Sequence, residues 1–534
     1  MKSSRYWLFP VVTVVYLLYA SIFLQPWTVR NFSLIDDGQV LMQNASYLES
    51  CVSGKSCSNF LAQTLEWGTG RVRPTYWIIQ GIIYETFRNN AVAHHVFRVF
   101  GVGFSAVILL TYILVKMKLR AVAIILAVTL FFTSFSFSEN IIRLGPNEPF
   151  QILFLLAFSA IYLLIGPLSK LSKWKFISLL LFLIVGVFIK ENNISILFAL
   201  FFTELFLYKK IYLRQIVLVG FPAFLFGTYI ILDRVFPFEL LKNIPAYTNN
   251  YLTNPFTILK NAGLIIGILL NTLSPFLKIC LLILAIFFLS KKFRSSLSDK
   301  NFIYWTFFSI FFVGIMFPWK YVLERYQLAG ILGLTIFICF ILSKVLDFLE
   351  PRILGTGKLK LPVRILFNLV ILFIFLTLLT KGLTLNLAKT INYQEWYSQF
   401  TKFEHDQVQV LLKYNNENIL INGNDNISNW EVLYEIPIHF KHLYNQTSNV
   451  TLLQSQPLPG TYIFSRNAFD TFISLNEISK INSQIVESDS YTIYQIDPIK
   501  FREKFVFRPI EVALNPPLQE DSIEYYWEVR KILK

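Results

Sequence analysis

The chain has 534 residues, of which 54% are hydrophobic, 17% aromatic and only 15% charged, with a mean hydropathy of +0.53. A soluble domain carries about 25% charged residues, so this composition excludes a disordered chain and argues against a wholly soluble one. The formal charge of +15 is uneven: residues 1–381 hold 35 Lys and Arg against 15 Asp and Glu, a net +20, whereas 382–534 hold 13 against 18, a net −5. The basic residues lie between apolar runs, which makes them a topology signal rather than a nucleic-acid footprint.

A crossing helix needs about 20 mostly apolar residues. Eleven stretches are expected to be spans: 8–24, 93–115, 119–137, 149–166, 176–190, 192–208, 215–232, 264–289, 302–317, 327–345 and 363–380. The first is too long, and too poorly followed by a small-residue cleavage site, for a signal peptide. With the N-terminus inside, basic clusters fall at every alternate turn, from Lys2 and Arg5, through Lys116, Lys118 and Arg120, to Lys344, Arg352, Lys358, Lys360 and Arg364. That pattern predicts an odd number of spans, with 382–534 outside.

The first outer loop, 25–92, is long, and loops beyond about 15 residues tend to be functional or disordered. Trp27, Trp67, Tyr76 and Trp77 speak against disorder, and the run TYWIIQGIIYETF at 75–87 suits an amphipathic helix at the membrane surface. Asp36-Asp37 opens this loop. Two adjacent carboxylates there are either a general base or metal-ligand pair or a solvated helix cap. Cys51 and Cys57 lie in the same loop, where an oxidising compartment allows a disulfide; two unpaired thiols are the alternative.

The second outer loop, SENIIRLGPNEPF, holds Arg143 and Glu148 around a Gly-Pro turn. Lys190-Glu191 stands where two apolar runs meet at the same level. Within 255–289, Asn271, Pro275 and Lys278 interrupt an apolar run, as in one broken helix or a re-entrant piece plus a span. Arg325, in WKYVLERYQLAG, returns to the outer level. Ionisable residues at membrane depth are functional suspects, with snorkelling to the interface as the plain alternative. By topology Asp36, Asp37, Arg71, Arg73, Arg143, Glu148, Lys190, Glu191 and Arg325 all fall on the outer face. They would join carboxylates for base work to cations for a phosphate.

From 382 onward the periodicity changes. Residues 391–414 read as a helix, 418–422, 449–454, 461–465 and 491–496 as strands, and the stretches near 428–443 and 468–480 as helices. This predicts a small α/β domain on a mainly α, polytopic helical bundle, divided into 1–381 and 382–534. His405, His439 and His442 have no ligand spacing around them and read as ordinary surface or packing residues.

Four features in order resemble the GT-C superfamily of membrane glycosyltransferases, which includes protein O-mannosyltransferases and aminoarabinose transferases. They are the acidic pair Asp36-Asp37, RLGPNEP at 143–149, the turn in LLLFLIVGVFIKENNISILFAL, and LERYQLAGILGL; GRVRP at 70–74 also fits. A WWD-type motif is lacking, and Gln327 stands where an apolar residue is more usual. The resemblance implies inverting hexosyl or pentosyl transfer on the outer or lumenal face; richness in Ile, Phe, Asn and Lys points to a bacterial inner membrane. The donor would be a polyprenyl-phosphate-linked sugar and the acceptor a glycan, lipid or protein; nucleic acid is not an expected partner. It casts Asp36, supported by Asp37, as base, and Arg71, Arg73, Arg143, Lys190 and Arg325 as phosphate holders. Glu148 would orient the acceptor or help bind a divalent cation; otherwise no cofactor is expected. A transporter or flippase is the second class and a membrane scaffold the third. Charges at outer loop ends rather than at mid-membrane favour the enzyme.

Overall fold

The structure is a computed structural model and describes residues 5–66, 71, 73–165, 168, 171–235, 252–273, 299–354, 361–417, 419–421, 427–452, 458–466, 482–505 and 521–533. It is a helical bundle with a small C-terminal α/β unit. Among the described residues five helices are long and apolar enough to cross a membrane: Arg5–Thr28, Ala91–Lys116, Leu213–Leu232, Pro255–Leu273 and Glu324–Phe348. Ala121–Phe132 and Phe135–Ile142 make a sixth if taken together, with a bend of 51° between them. The bend has a local cause. Ser134 leaves the helix, donates its hydroxyl to the Phe131 carbonyl at 2.7 Å and accepts the Phe137 N–H at 3.3 Å, so it ends one helix and caps the next.

The expected spans at 149–166, 176–190, 192–208 and 302–317 appear as the shorter apolar helices Glu148–Leu164, Lys173–Val187, Ser195–Tyr208 and Lys300–Gly314. The second half of the 264–289 stretch lies outside the described residues, as does the expected helix at 468–480. The 363–380 and 391–414 stretches belong to one unbroken helix, Leu361–Lys413. The change of periodicity at 382 therefore falls inside a helix.

Five strands form the sheet among the described residues: β1 Ile419–Ile421, β2 Val450–Leu452, β3 Tyr462–Arg466, β4 Ser483–Gln495 and β5 Asp521–Ile532. Their order is β2-β1-β3-β5-β4, parallel across β2-β1-β3 and antiparallel where β5 pairs with β3 and β4. The strand expected at 491–496 is the end of β4, and β5 was not expected. Among the described residues two large apolar cores result, with a small third cluster of Ala388, Ile496 and Phe501. One fills the bundle around Tyr16, Phe131, Phe137, Tyr304 and Trp305. The other lies against the sheet and includes Phe400, Phe403, Phe464 and Trp527. Leu34, from the long first loop, is buried in this second core, so the loop and the C-terminal unit are packed together.

Candidate functional site

At the ends of several bundle helices lies a cavity of about 370 Å3. Its lining includes Asp36, Arg71, Arg73, Arg143, Glu148, Lys190, Glu191 and Arg325, drawn from five separate stretches of chain. Among the described residues that makes five cations against three carboxylates. Ile194, Phe226, Ile315, Met316 and Trp319 form its apolar side.

The turn ahead of helix Glu148–Leu164 is fixed through its carbonyls. Gln80 donates to the Leu144 carbonyl at 3.1 Å, and His95 Nδ1 lies 3.0 Å from that of Ile142. The Tyr76 hydroxyl donates to Gly145 and the Arg98 guanidinium to Pro146. Such a turn has no helix or sheet to satisfy its backbone, so neighbouring side chains do so. The Lys190-Glu191 turn is held by buried amides: Gln151 donates to the side-chain oxygens of Asn192 at 2.6 Å and Asn193 at 2.7 Å, and Asn193 donates to the Gly186 carbonyl at 2.7 Å. The Arg325 carbonyl accepts from Asn140 at 2.8 Å, tying the last stretch to the second loop.

The cations differ in how they are engaged. Arg73 grips Glu66 with two hydrogen bonds, at 2.8 and 2.5 Å. The Lys190 ammonium is paired with the buried Glu148 carboxylate. The ion-pair contacts of Arg143 and Arg325 are longer, 3.7 Å to Asp36 and 3.8 Å to Glu139, and Arg325 also donates to the Tyr326 hydroxyl at 3.2 Å. Tyr326 stands between Lys190 and Arg325, its ring centroid 5.5 and 5.0 Å from the two charges. Burial, and then the like charge of Arg73, push the Arg71 guanidinium down to about 10. Burial alone would raise Glu66, yet the Arg73 and Arg71 charges hold it below its ordinary value. The Glu66 shift reports the two guanidinium groups beside it.

Asp36 is a non-glycine residue with φ of +72°, a conformation that Asp tolerates better than most residues. It sends the two neighbouring carboxylates in different directions. Asp36 lines the cavity, whereas Asp37 is buried away from it, accepting the Ser33 N–H at 2.9 Å. Gly145 makes room for this turn, because a Cβ there would sit 2.7 Å from that of Asp36. Cys51 and Cys57 are joined as a disulfide, away from the cavity lining.

Sequence reasoning passed over Glu66, Glu139 and Tyr326. Glu139 had a signal, since it sits four residues before Arg143 on the same segment; Glu66 had none. It also passed over Glu404 and Glu435, buried carboxylates beside the Asp37 turn, and His439 joins them, 3.6 Å from Glu435. Among the described residues no group of three or more His, Cys, Asp or Glu is arranged to hold a metal ion.

No protein-family model matches the chain, and no curated protein matches it in sequence. Among solved structures the chain is similar to ArnT from Cupriavidus metallidurans in the apo state, with 10% identity and a TM-score of 0.46, covering 89% of this chain and 95% of that one. It is similar also to ArnT from the same organism bound to undecaprenyl phosphate, with 11% identity and a TM-score of 0.46, covering 99% and 98%.

Proposed function

We propose that this protein is an integral-membrane glycosyltransferase that moves a sugar from a polyprenyl-phosphate donor to an acceptor on the extracytoplasmic face. The observation that carries the reading is the cavity itself: one exposed carboxylate and several cations on a polar rim, directly beside an apolar wall. The rim suits a phosphate and the wall suits the first units of an isoprenoid. Phe226, on that wall, belongs to the candidate span Leu213–Leu232, of which only 17% is buried against 89% for Glu324–Phe348. A lipid-linked donor would enter from this lipid-facing side.

In the proposed reaction the acceptor hydroxyl attacks the anomeric carbon of the donor sugar. The new C–O bond forms as the bond to the phosphate oxygen breaks, and the electron pair leaves with the polyprenyl phosphate. The hydroxyl proton passes to the Asp36 carboxylate. A single displacement inverts the anomeric centre. Arg143 and Arg325, whose carboxylate partners are the more distant ones, are assigned to the phosphate. Each would contribute about 4 kcal/mol of attraction at 4 Å for an effective dielectric near 20. Arg71 and Arg73 keep the rim positive, and Glu148 holds the Lys190 ammonium in place.

Transfer from a polyprenyl-phosphate sugar, measured with purified protein in lipid, tests the assignment. Asp36→Asn is expected to lower kcat at least about a hundredfold, the usual worth of a general base. Arg325→Ala is expected to cost about tenfold to a hundredfold in kcat/KM, as for one charged hydrogen bond. Wild-type turnover in both variants, normally inserted, would refute it.

A further inference from the structure

We propose that Glu404 and Glu435, from the C-terminal unit, are positioning residues for Asp36, clamping the backbone on either side of the Asp36-Asp37 turn. The proposal rests on the reading of Asp36 as the base.

Three observations carry it. First, Glu404 accepts from the Leu34 N–H and the Ser33 hydroxyl, both at 2.8 Å, and Glu435 accepts from the Gln39 N–H at 3.0 and 3.2 Å. The two carboxylates thus hold the chain just before and just after the turn, from positions about 370 and 396 residues away. Inside the clamp Ser33 closes the loop, its hydroxyl accepting the Ile35 N–H at 3.0 Å and its N–H reaching Asp37. Second, Gly38 is what admits Glu435: a Cβ there would meet its Oε2 at 2.1 Å and the His439 ring at 2.9 Å. Third, neither Glu404 nor Glu435 lines the cavity. They touch the Asp36 segment, not the space where substrate would sit.

The clamp answers a mechanical need. A positive φ at a residue with a side chain costs about 1–2 kcal/mol relative to ordinary backbone and persists only when its surroundings enforce it. A free loop would relax and swing Asp36 off the rim. Both carboxyl groups are buried, so breaking either contact would leave a backbone N–H without a partner away from water, which costs about 1–3 kcal/mol. Arg466, 4.0 Å from Glu404, carries positive charge against it, and His439 packs beside Glu435.

The test compares Glu435→Ala with Glu435→Gln, and Glu404→Ala with Glu404→Gln, in the full chain in lipid. Two quantities are read: amide hydrogen exchange over residues 33–41, and kcat and KM for a polyprenyl-phosphate sugar. The Ala variants are expected to exchange faster in this segment and to lose about tenfold or more in kcat, with donor KM within about twofold, because the phosphate site is untouched. The Gln variants keep an acceptor oxygen, so slow exchange and kcat within about threefold of wild type are expected. If Glu435→Ala fails to insert, Gly38→Ala makes the same test, since its methyl displaces the Glu435 carboxylate. Faster exchange with unchanged kcat overturns the positioning role alone, as does a Gln variant as poor as its Ala counterpart. A wild-type protein that clamps the segment yet transfers no sugar overturns the parent reading instead.

Discussion

Gly145 and Asp36 are tied by space rather than by a bond. The missing side chain at 145 leaves room for the Asp36 carboxylate, and a methyl there would press on its Cβ and, at 3.0 Å, on its Oδ2. Gly145→Ala should therefore push Asp36 from its place while leaving Arg325, paired with Glu139, where it is. The expected result is a kcat lowered about tenfold or more, with little change in donor KM, because small misplacements of a reacting group are expensive. Steady-state kinetics on the inserted variant measures it; an unchanged kcat would mean that Asp36 need not sit where it does. At this scale much was legible. Asp36, Arg71, Arg73, Arg143, Glu148, Lys190 and Arg325 all line one cavity, because a charge at the end of an apolar run is conspicuous in sequence and topology brings such ends to one level. The pairings were not legible. That Lys190 meets Glu148, Arg73 meets Glu66 and Asp37 turns away from Asp36 depends on turn geometry and on distances that no spacing encodes.

Apolar runs announce helices strongly, so most elements of the bundle were readable, but their lengths were not. Ser134 cuts a helix where hydropathy alone runs on. The strand β5 was missed for a different reason. Its sequence, DSIEYYWEVRKI, mixes charge with bulk, and Glu528 is buried rather than outward, held by Arg530 at 2.7 Å. An alternating pattern was thus not available to be found. Yet β5 is the strand that joins the two halves of the sheet, with Trp527 opposite Arg466 on one side and Asp489 on the other. Trp527 is buried and its ring packs on Phe464 with centroids 6.2 Å apart. Trp527→Ala should cost the C-terminal unit about 3–5 kcal/mol, as for other buried large aromatics. Limited proteolysis across a denaturant series reads this directly: cleavage of the C-terminal region should begin at lower denaturant than in wild type, and coincident profiles would show that β5 is not the joint.

Across the whole molecule, the helix Leu361–Lys413, about 80 Å long at 1.5 Å per residue, carries the chain from bundle to sheet without a break. The compositional boundary near 382 therefore marks a change of surroundings along one rod. Where its far end meets the first loop, three carboxyl groups, Asp37, Glu404 and Glu435, are buried near one another. Burial raises all three, and for Asp37 the negative charges of Glu435 and Asp36 add to it; the N–H donors of Ser33, Leu34 and Gln39, together with Arg143 and Arg466, oppose the rise. A carboxyl group whose folded value lies above its unfolded value of about 4 binds its proton more tightly when folded. Its contribution is complete below that unfolded value and is lost as pH rises toward the folded one, by up to about 1.4 kcal/mol per pH unit for each group. His439 works the other way. Burial pushes it down to about 4, so it favours the fold above its usual value of about 6.5, and that contribution is lost as pH falls through the window between the two. At this junction the His439 contribution is complete above about pH 6.5, and the carboxyl contribution continues to fall toward the raised folded values. Compared with wild type, Glu435→Gln, which keeps the acceptor for Gln39 but cannot ionise, should therefore lose less melting temperature as pH rises above the ordinary carboxyl range. Parallel melting curves for the two proteins would show that the junction between loop and sheet holds no such proton.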